Sequence, residues 1–151
     1  MPFHEAAAIN AIATQEASID GVKASFGYAQ NPDSLNNVLP CVVHFIPSFT
    51  STPRAFHNLW ANSLVFQSVL FVMPRDAGGG KLRYIENAAI PFGQKWRDKF
   101  QDDTVITNLL SALAGVKVFL TGGVYGAGGP LLTFGGIEHV GYIFSFECVN
   151  A

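Results

Sequence analysis

The sequence contains few charged residues: nine Lys and Arg and eleven Asp and Glu make up 13% of its 151 residues. Soluble domains usually carry about 25%. Because 49% of the residues are hydrophobic, a disordered chain, which needs low hydrophobicity and high charge, is excluded. The formal net charge of −2 lacks the broad positive field that drives binding to nucleic acids. With so few charges, much of the surface must be uncharged, and we expect it to pack against partner subunits.

Cysteines and long apolar runs are also scarce. Cys41 and Cys148 are too few for a disulfide framework, and we expect both to be small buried hydrophobes in strands. A redox pair would require their two strands to be adjacent. The longest apolar run, residues 63–73, has about half of the ~20 residues that a membrane-spanning helix needs. The first twenty residues lack a basic start and an apolar core, so no secretory signal is predicted, and we expect a protein of a reducing cytoplasm that enters no membrane.

Hydrophobic periodicity divides the chain into helices and strands. Helical spacing predicts helices at residues 3–18, 84–100 and 104–114. The paired carboxylates Asp102-Asp103 are expected to cap the start of the last helix, with Asp103 as the capping residue. Strands are predicted at residues 22–28, 41–46, 63–73, 116–121 and 139–149. This order predicts one α+β domain over residues 1–151, with two or three helices packed on a mainly antiparallel sheet of about five strands.

Proline and glycine predict where these elements end. Pro40 and Pro47 flank the second strand, and residues 47–62 are predicted as a loop or a short helix on the sheet. Pro91 predicts either a kink or the first turn of a helix. Mobile loops are predicted around residues 75–81 and around residues 122–136, where seven of fifteen residues are glycine.

No catalytic, cofactor-binding or metal site is predicted. The Gly-Gly-Gly-Lys sequence at residues 78–81 lacks the Ser or Thr that completes a phosphate-binding loop, and residues 126–129 lack the third glycine of a dinucleotide fingerprint. The four histidines do not have the spacing of a helical metal pair. No cysteine or serine has the local context of an activated nucleophile. An enzyme assembled from distant residues stays open as an alternative.

Basic residues are concentrated in one stretch of the chain. Six of the nine lie between residues 75 and 99, where the net charge is +3: Arg75, Lys81, Arg83, Lys95, Arg97 and Lys99. They form either a solvated helix face beside a loop or a contact with an acidic partner or passing DNA. Phe92, Trp96 and Phe100 fall on the opposite helical stripe, so they are expected to face the core rather than stack on nucleotide bases.

The order of elements resembles that of the tail terminator, or tail completion, proteins of long-tailed bacteriophages and related phage-derived particles. The resemblance covers most of the chain. It is carried by the Ala-rich first helix, Gly21-Val22, the proline-flanked strand at residues 39–47, the long apolar strand, the helical stretch from Tyr84, the glycine-rich segment and the closing strand at residues 140–146.

This resemblance implies a virion subunit of the tail or neck, assembled in the bacterial cytoplasm. Six copies usually form a ring on the last ring of tail-tube subunits, stop tube polymerisation and join the tail to the head connector, while DNA passes through without sequence-specific binding. The glycine-rich segment, with Gly123, Tyr125, Gly128 and Pro130, is then a candidate docking arm. The alternatives are another tail or neck subunit (tube, connector or baseplate) and a small-molecule binding module or enzyme.

Overall fold

One sheet carries helices on one of its two faces. The computed structural model describes residues 5–27, 32–35, 37–53, 60–76, 87–113 and 116–150. The helices are α1 (Glu5–Ala17), α2 (Pro91–Gln101) and α3 (Asp103–Ala112). The strands are β1 (Ala24–Ser25), β2 (Cys41–Pro53), β3 (Trp60–Pro74), β4 (Val116–Ala127), β5 (Thr133–Phe134) and β6 (Ile137–Asn150).

The strand order is β1-β2-β3-β6-β4, and β5 pairs with β6. Strand β1 runs parallel to β2, whereas the pairs β2–β3, β3–β6, β4–β6 and β5–β6 are antiparallel. The predicted α+β class, with helices packed on a mainly antiparallel sheet in one domain, is therefore confirmed.

The closing strand β6 shows how alternation builds the core. Val140, Phe144 and Phe146 are buried against the helices, whereas Ser145 and Glu147 lie on the opposite face and are half-buried. Since successive side chains of a strand point to opposite faces, one strand supplies both surfaces of the sheet. The prediction of this strand is confirmed.

Aromatic rings fill the space between the helices and the sheet. The Trp96 ring stacks on Phe144 with centroids 4.4 Å apart, and Phe144 stacks on Tyr142 at 5.1 Å. Phe100 meets Phe146 edge-on at 4.8 Å. The predicted inward stripe of α2 is therefore confirmed, since Trp96 and Phe100 are both buried.

The sequence predicts that the second strand ends at Pro47, but the structure shows that it does not. Strand β2 continues to Pro53, and its register with β3 shifts between Phe45 and Ser48. A proline inside a strand is tolerated where the ladder is already irregular. The predicted loop or short helix at residues 47–62 is therefore wrong for residues 47–53 and 60–62, which are strand; residues 54–59 lie outside the described part.

The glycines after Thr121 do not end β4 either. The strand runs to Ala127, followed by a 3-10 turn at Pro130–Leu132. A Cβ on Gly123 would lie 3.0 Å from the Phe144 ring, and a Cβ on Gly126 would lie 2.6 Å from the Leu132 side chain. These glycines therefore make room for core side chains inside a strand whose register with β6 shifts between Leu120 and Gly122.

The helix ends differ in detail from the prediction. Helix α1 covers Glu5–Ala17, and Gly21 follows with φ of +93°, in the left-handed region that favours glycine. Helix α2 begins at Pro91, which lies in its first turn, and residues 87–89 just before it are also helical. The cap of α3 is Asp102 rather than the predicted Asp103: its carboxylate accepts hydrogen bonds from the backbone N–H of Thr104 at 2.8 Å and of Val105 at 3.3 Å.

We expect Asp102→Ala to lower the free energy of unfolding by about 1 kcal/mol, because two backbone donors of α3 lose their acceptor. The matched variant Asp103→Ala loses only a favourable charge in the first turn and should cost about 0.3–1 kcal/mol. Urea denaturation followed by circular dichroism measures both. A larger loss in Asp103→Ala would contradict this assignment of the cap.

Within the described residues 22–27, strand β1 is shorter than the predicted strand at residues 22–28, whose last residue lies outside the described part. Only Ala24 and Ser25 pair with β2, although the Phe26 N–H still donates to the Val42 carbonyl at 2.9 Å. The predicted mobile loop at residues 75–81 is described only at Arg75 and Asp76, which form a turn. Its remaining residues lie outside the described part.

Candidate functional site

The sheet face opposite the helices is covered at one end and open at the other. Leu35, Leu132 and Phe134 pack over that face near the start of β2. Toward the other end, the side chains of the four long strands on this face belong to neither buried core cluster. We call this surface the open face; its residues are Phe45, Val65, Gln67, Lys117, Phe119, Ser145, Glu147 and Val149.

Half of the open face is apolar, and the other half includes one lysine and one glutamate. Four of its eight side chains are Phe or Val, and they include Phe45, 39% exposed, and Phe119, 49% exposed. Its Glu147 accepts a hydrogen bond from Ser63 at 3.3 Å. A solvated antiparallel sheet face is normally polar, and Phe45 and Phe119 are two large aromatic side chains that this face leaves exposed.

A groove runs beside the open face along strand β4. The edge groove, a cavity of about 240 Å³, lies between α3 and β4. It is lined by Ile106, Leu109, Val116, Lys117, Val118 and Phe119. On α3, Ile106 is exposed. An edge strand with exposed apolar side chains is a template for pairing with another chain.

The predicted basic residues do not form one patch in the described part of the chain. Arg75 lies at the end of β3 and forms an ion pair with Glu138 at 3.0 Å. The Lys95 ammonium donates to the carbonyl of Asp20 at 2.9 Å and lies 4.6 Å from the centre of the Phe92 ring. Lys81 and Arg83 lie outside the described residues.

The remaining basic residues on α2 lie among acids. Arg97 donates to the Gln94 side chain at 2.9 Å. Lys99 lines a shallow cleft with Lys95, and the same cleft is lined by Asp20, Asp98 and Asp102. This surface is therefore of mixed charge, as a solvated helix face would be, and contact with an acidic partner stays a prediction.

The predicted docking arm is built into the sheet. Gly123 and Tyr125 belong to β4, and Tyr125 meets the ring of Tyr142 at 5.9 Å. The Gly128 N–H donates to the His139 carbonyl at 2.9 Å, and Pro130 begins the 3-10 turn that buries Leu132. Removing the segment would therefore remove half of β4 and part of the core. A docking role for its exposed residues stays a prediction.

A cluster of polar side chains lies inside the helix layer, where the sequence analysis places no site. Glu16 on α1 is fully buried. Its Oε1 lies 2.6 Å from His44 Nε2, and its Oε2 accepts a hydrogen bond from Trp96 Nε1 at 2.8 Å. His44 Nδ1 lies 2.6 Å from the carbonyl oxygen of Phe26. We call Glu16, His44 and Trp96 the buried polar cluster.

The geometry sets the charge of this cluster. Both nitrogens of the His44 ring face oxygen atoms, so a doubly protonated ring donates to both. Burial lowers the pKa of His44, but the charge of Glu16 and the hydrogen bonds to Glu16 and Phe26 outweigh it and raise that pKa above its ordinary value of 6.5. The side chains of His44 and Glu16 are 2% and 0% exposed. Their ion pair links β2 to α1, and the hydrogen bond from Trp96 links α2 to α1.

One signal in the sequence could have indicated the cluster. Glu16 continues the buried stripe of α1 at helical spacing from Ile9, Ile12 and Ala13. A carboxylate in an apolar stripe must be paired when the helix packs. Its partners are remote in sequence, so their identity needs the tertiary structure.

The two cysteines are buried free thiols on opposite faces of the sheet. Cys41 packs with Val43 and Phe71 on the face that Leu132 covers, whereas Cys148 packs under the helices. Burial raises the pKa of each thiol to about 12. The prediction of two buried hydrophobes is confirmed, and β3 lies between their strands, so they form no redox pair.

The described side chains include no group of three His, Cys, Asp or Glu residues close enough to hold a metal ion. None of the helices described above is long and apolar enough to cross a membrane. The sequence matches no protein-family model and is similar to no curated protein.

Proposed function

We propose that this protein is a structural subunit of a phage-type tail. Sister copies close into a ring that caps the tail tube, ends its polymerisation and joins the tail to the head connector. One observation carries the proposal: the sheet exposes large apolar side chains near both of its edges, Phe45 on β2 and Phe119 on β4.

Two different surfaces are what a ring requires. In a rotational ring each copy meets one neighbour through one face and the next neighbour through a different face. The open face reaches both edges of the sheet, and it carries one lysine and one glutamate among its eight residues. An isolated copy would leave these aromatics in water, whereas neighbouring copies would bury them.

The order of elements resembles that of tail terminator proteins, and this resemblance supports placing the ring between the tail tube and the head connector. In that position the partners are further copies of the chain, the tail-tube protein and a connector or neck protein. The mixed charge around Lys95 and Lys99 is compatible with a channel through which DNA passes without sequence-specific binding.

The first test is the mass and shape of the purified protein. We expect light scattering to give roughly six times the chain mass of 16.2 kDa, and negative-stain micrographs to show rings with a central hole. A monomer at every concentration tested would contradict the proposal.

The second test locates the protein in assembled particles. Cryo-electron microscopy of particles from cells that carry this chain should place one ring of it between the tail tube and the head connector. Density in the tube or baseplate would favour the alternative of another tail subunit. A protein found in no particle would favour a small-molecule binding module or an enzyme.

A further inference from the structure

Both edges of the sheet have unpaired stretches among the described residues. Strand β1 pairs with β2 only at Cys41 and Val42. From Phe45 to Pro53, β2 has β3 as its strand partner on one side and no described strand on the other. Strand β4 pairs with β6, and no described strand lies along its outer side. Each edge therefore offers unpaired backbone donors and acceptors.

The directions of the strands allow these two edges to pair. Strands β2, β3, β6 and β4 alternate in direction across the sheet, so β2 and β4 run in opposite directions. A neighbour brought alongside by rotation, with its helices on the same side, presents its β2 antiparallel to β4. Antiparallel pairing is slightly more stable per residue than parallel pairing.

The two unpaired stretches also lie at the same level of the sheet. The register places Phe45 in line with Gln67, Ser145 and Gly122, and places Ser48 in line with Phe119. The unpaired half of β2 is therefore level with the half of β4 that borders the edge groove. Two copies can meet there without one sliding along the other.

The side chains at these edges are complementary in polarity. Ile46 on β2 is 41% exposed, close to the exposed Phe45. On the other edge, Phe119 and Ile106 flank the edge groove, whose lining includes one charged side chain, Lys117. An added β2 strand would place alternate side chains on the helix side of the sheet, and its residues 48–51 would lie level with the groove.

We propose that the ring forms by pairing of the outer edge of β4 in one copy with the unpaired half of β2 in the next, so that one antiparallel sheet continues around the ring. The occupant of the edge groove is then a second copy of this chain. This inference rests on the proposed ring. Pairing of two β4 strands about a twofold axis would instead give a closed dimer and leave both β2 edges exposed.

Two charge substitutions test the pairing, one on each edge. Phe119→Lys blocks the β4 edge and Ile46→Lys blocks the β2 edge, because each replaces an exposed apolar side chain at the proposed contact by a charge that pairing would bury. We expect each variant alone to be a folded monomer by light scattering and circular dichroism. An equimolar mixture should form a 1:1 dimer, since the intact β4 of one variant can pair with the intact β2 of the other.

Ile137→Lys is the matched control, because Ile137 is exposed to a similar extent but lies at the start of β6, away from both edges. It should still form the wild-type ring. If Ile46→Lys alone forms dimers, pairing runs between two β4 strands and the proposal is wrong. Rings in both edge variants would also overturn the edge pairing and leave the ring standing, whereas a monomeric wild type would overturn both.

Discussion

Replacing Glu16 by leucine is expected to lower the free energy of unfolding by about 3–5 kcal/mol, because removing one partner of a buried ion pair leaves the other charge uncompensated. His44 Nε2 and Trp96 Nε1 would both lose the oxygen that they now face at 2.6 and 2.8 Å. Urea denaturation followed by tryptophan fluorescence and circular dichroism measures the loss.

Two further variants show whether the loss comes from the buried polar cluster. Glu16→Gln keeps an acceptor for Trp96 and can donate to a neutral His44, so it should cost less than Glu16→Leu. Glu138→Gln removes an exposed ion pair with Arg75, which should cost at most about 1 kcal/mol. Equal losses in Glu16→Leu and Glu138→Gln would show that the cluster contributes little.

The cluster also predicts a pH dependence. Because the pKa of His44 is raised in the folded protein, its contribution is fully present below its unfolded pKa of about 6.5 and is lost as the pH rises through its folded pKa. The stability advantage of wild type over Glu16→Gln should therefore be larger at about pH 6 than at about pH 9. Burial lowers the pKa of His139, but that group titrates in both proteins, so it cancels in the difference. An advantage that grows with pH would contradict this assignment.

Gly141→Ala is expected to lower the free energy of unfolding by more than about 4 kcal/mol, among the largest effects of a single substitution. Gly141 is buried in β6 opposite Phe71, next to the register shift of β3. A Cβ at this position would overlap the backbone carbonyl of Leu70 and would also press on Leu132. Two central strands would have to separate to make room. For a chain of this size, we expect a melting temperature at least about 10 °C lower.

Gly122→Ala provides the matched control in the same sheet. A Cβ on Gly122 would meet nothing within 4 Å, so the free energy of unfolding should change by at most about 1 kcal/mol. Loss of flexibility in the unfolded chain favours a small gain. If the two variants melt within a few degrees of each other, the close approach between Gly141 and Leu70 is not what constrains this position.

The candidate site was only partly predictable from the sequence. Low charge and abundant aromatics predict surface that packs against partners, and the structure places Phe45 and Phe119 on a sheet face that the described helices do not cover. Which aromatics stay exposed could not be predicted. Phe119 and Phe144 lie in similar apolar strands, and their exposure depends on which face of the sheet the helices cover.

The sequence by itself determined the fold class, the inward stripe of α2 and the closing strand, because these follow from side-chain periodicity within single elements. Tertiary structure decided the rest. Pro47 and Gly123 look like strand ends, yet both lie inside strands, because a register shift accommodates the proline and the Phe144 ring occupies the space beside the glycine. The pairing of Glu16 with His44 and Trp96 joins residues far apart in the chain, and such contacts form only when separate elements pack.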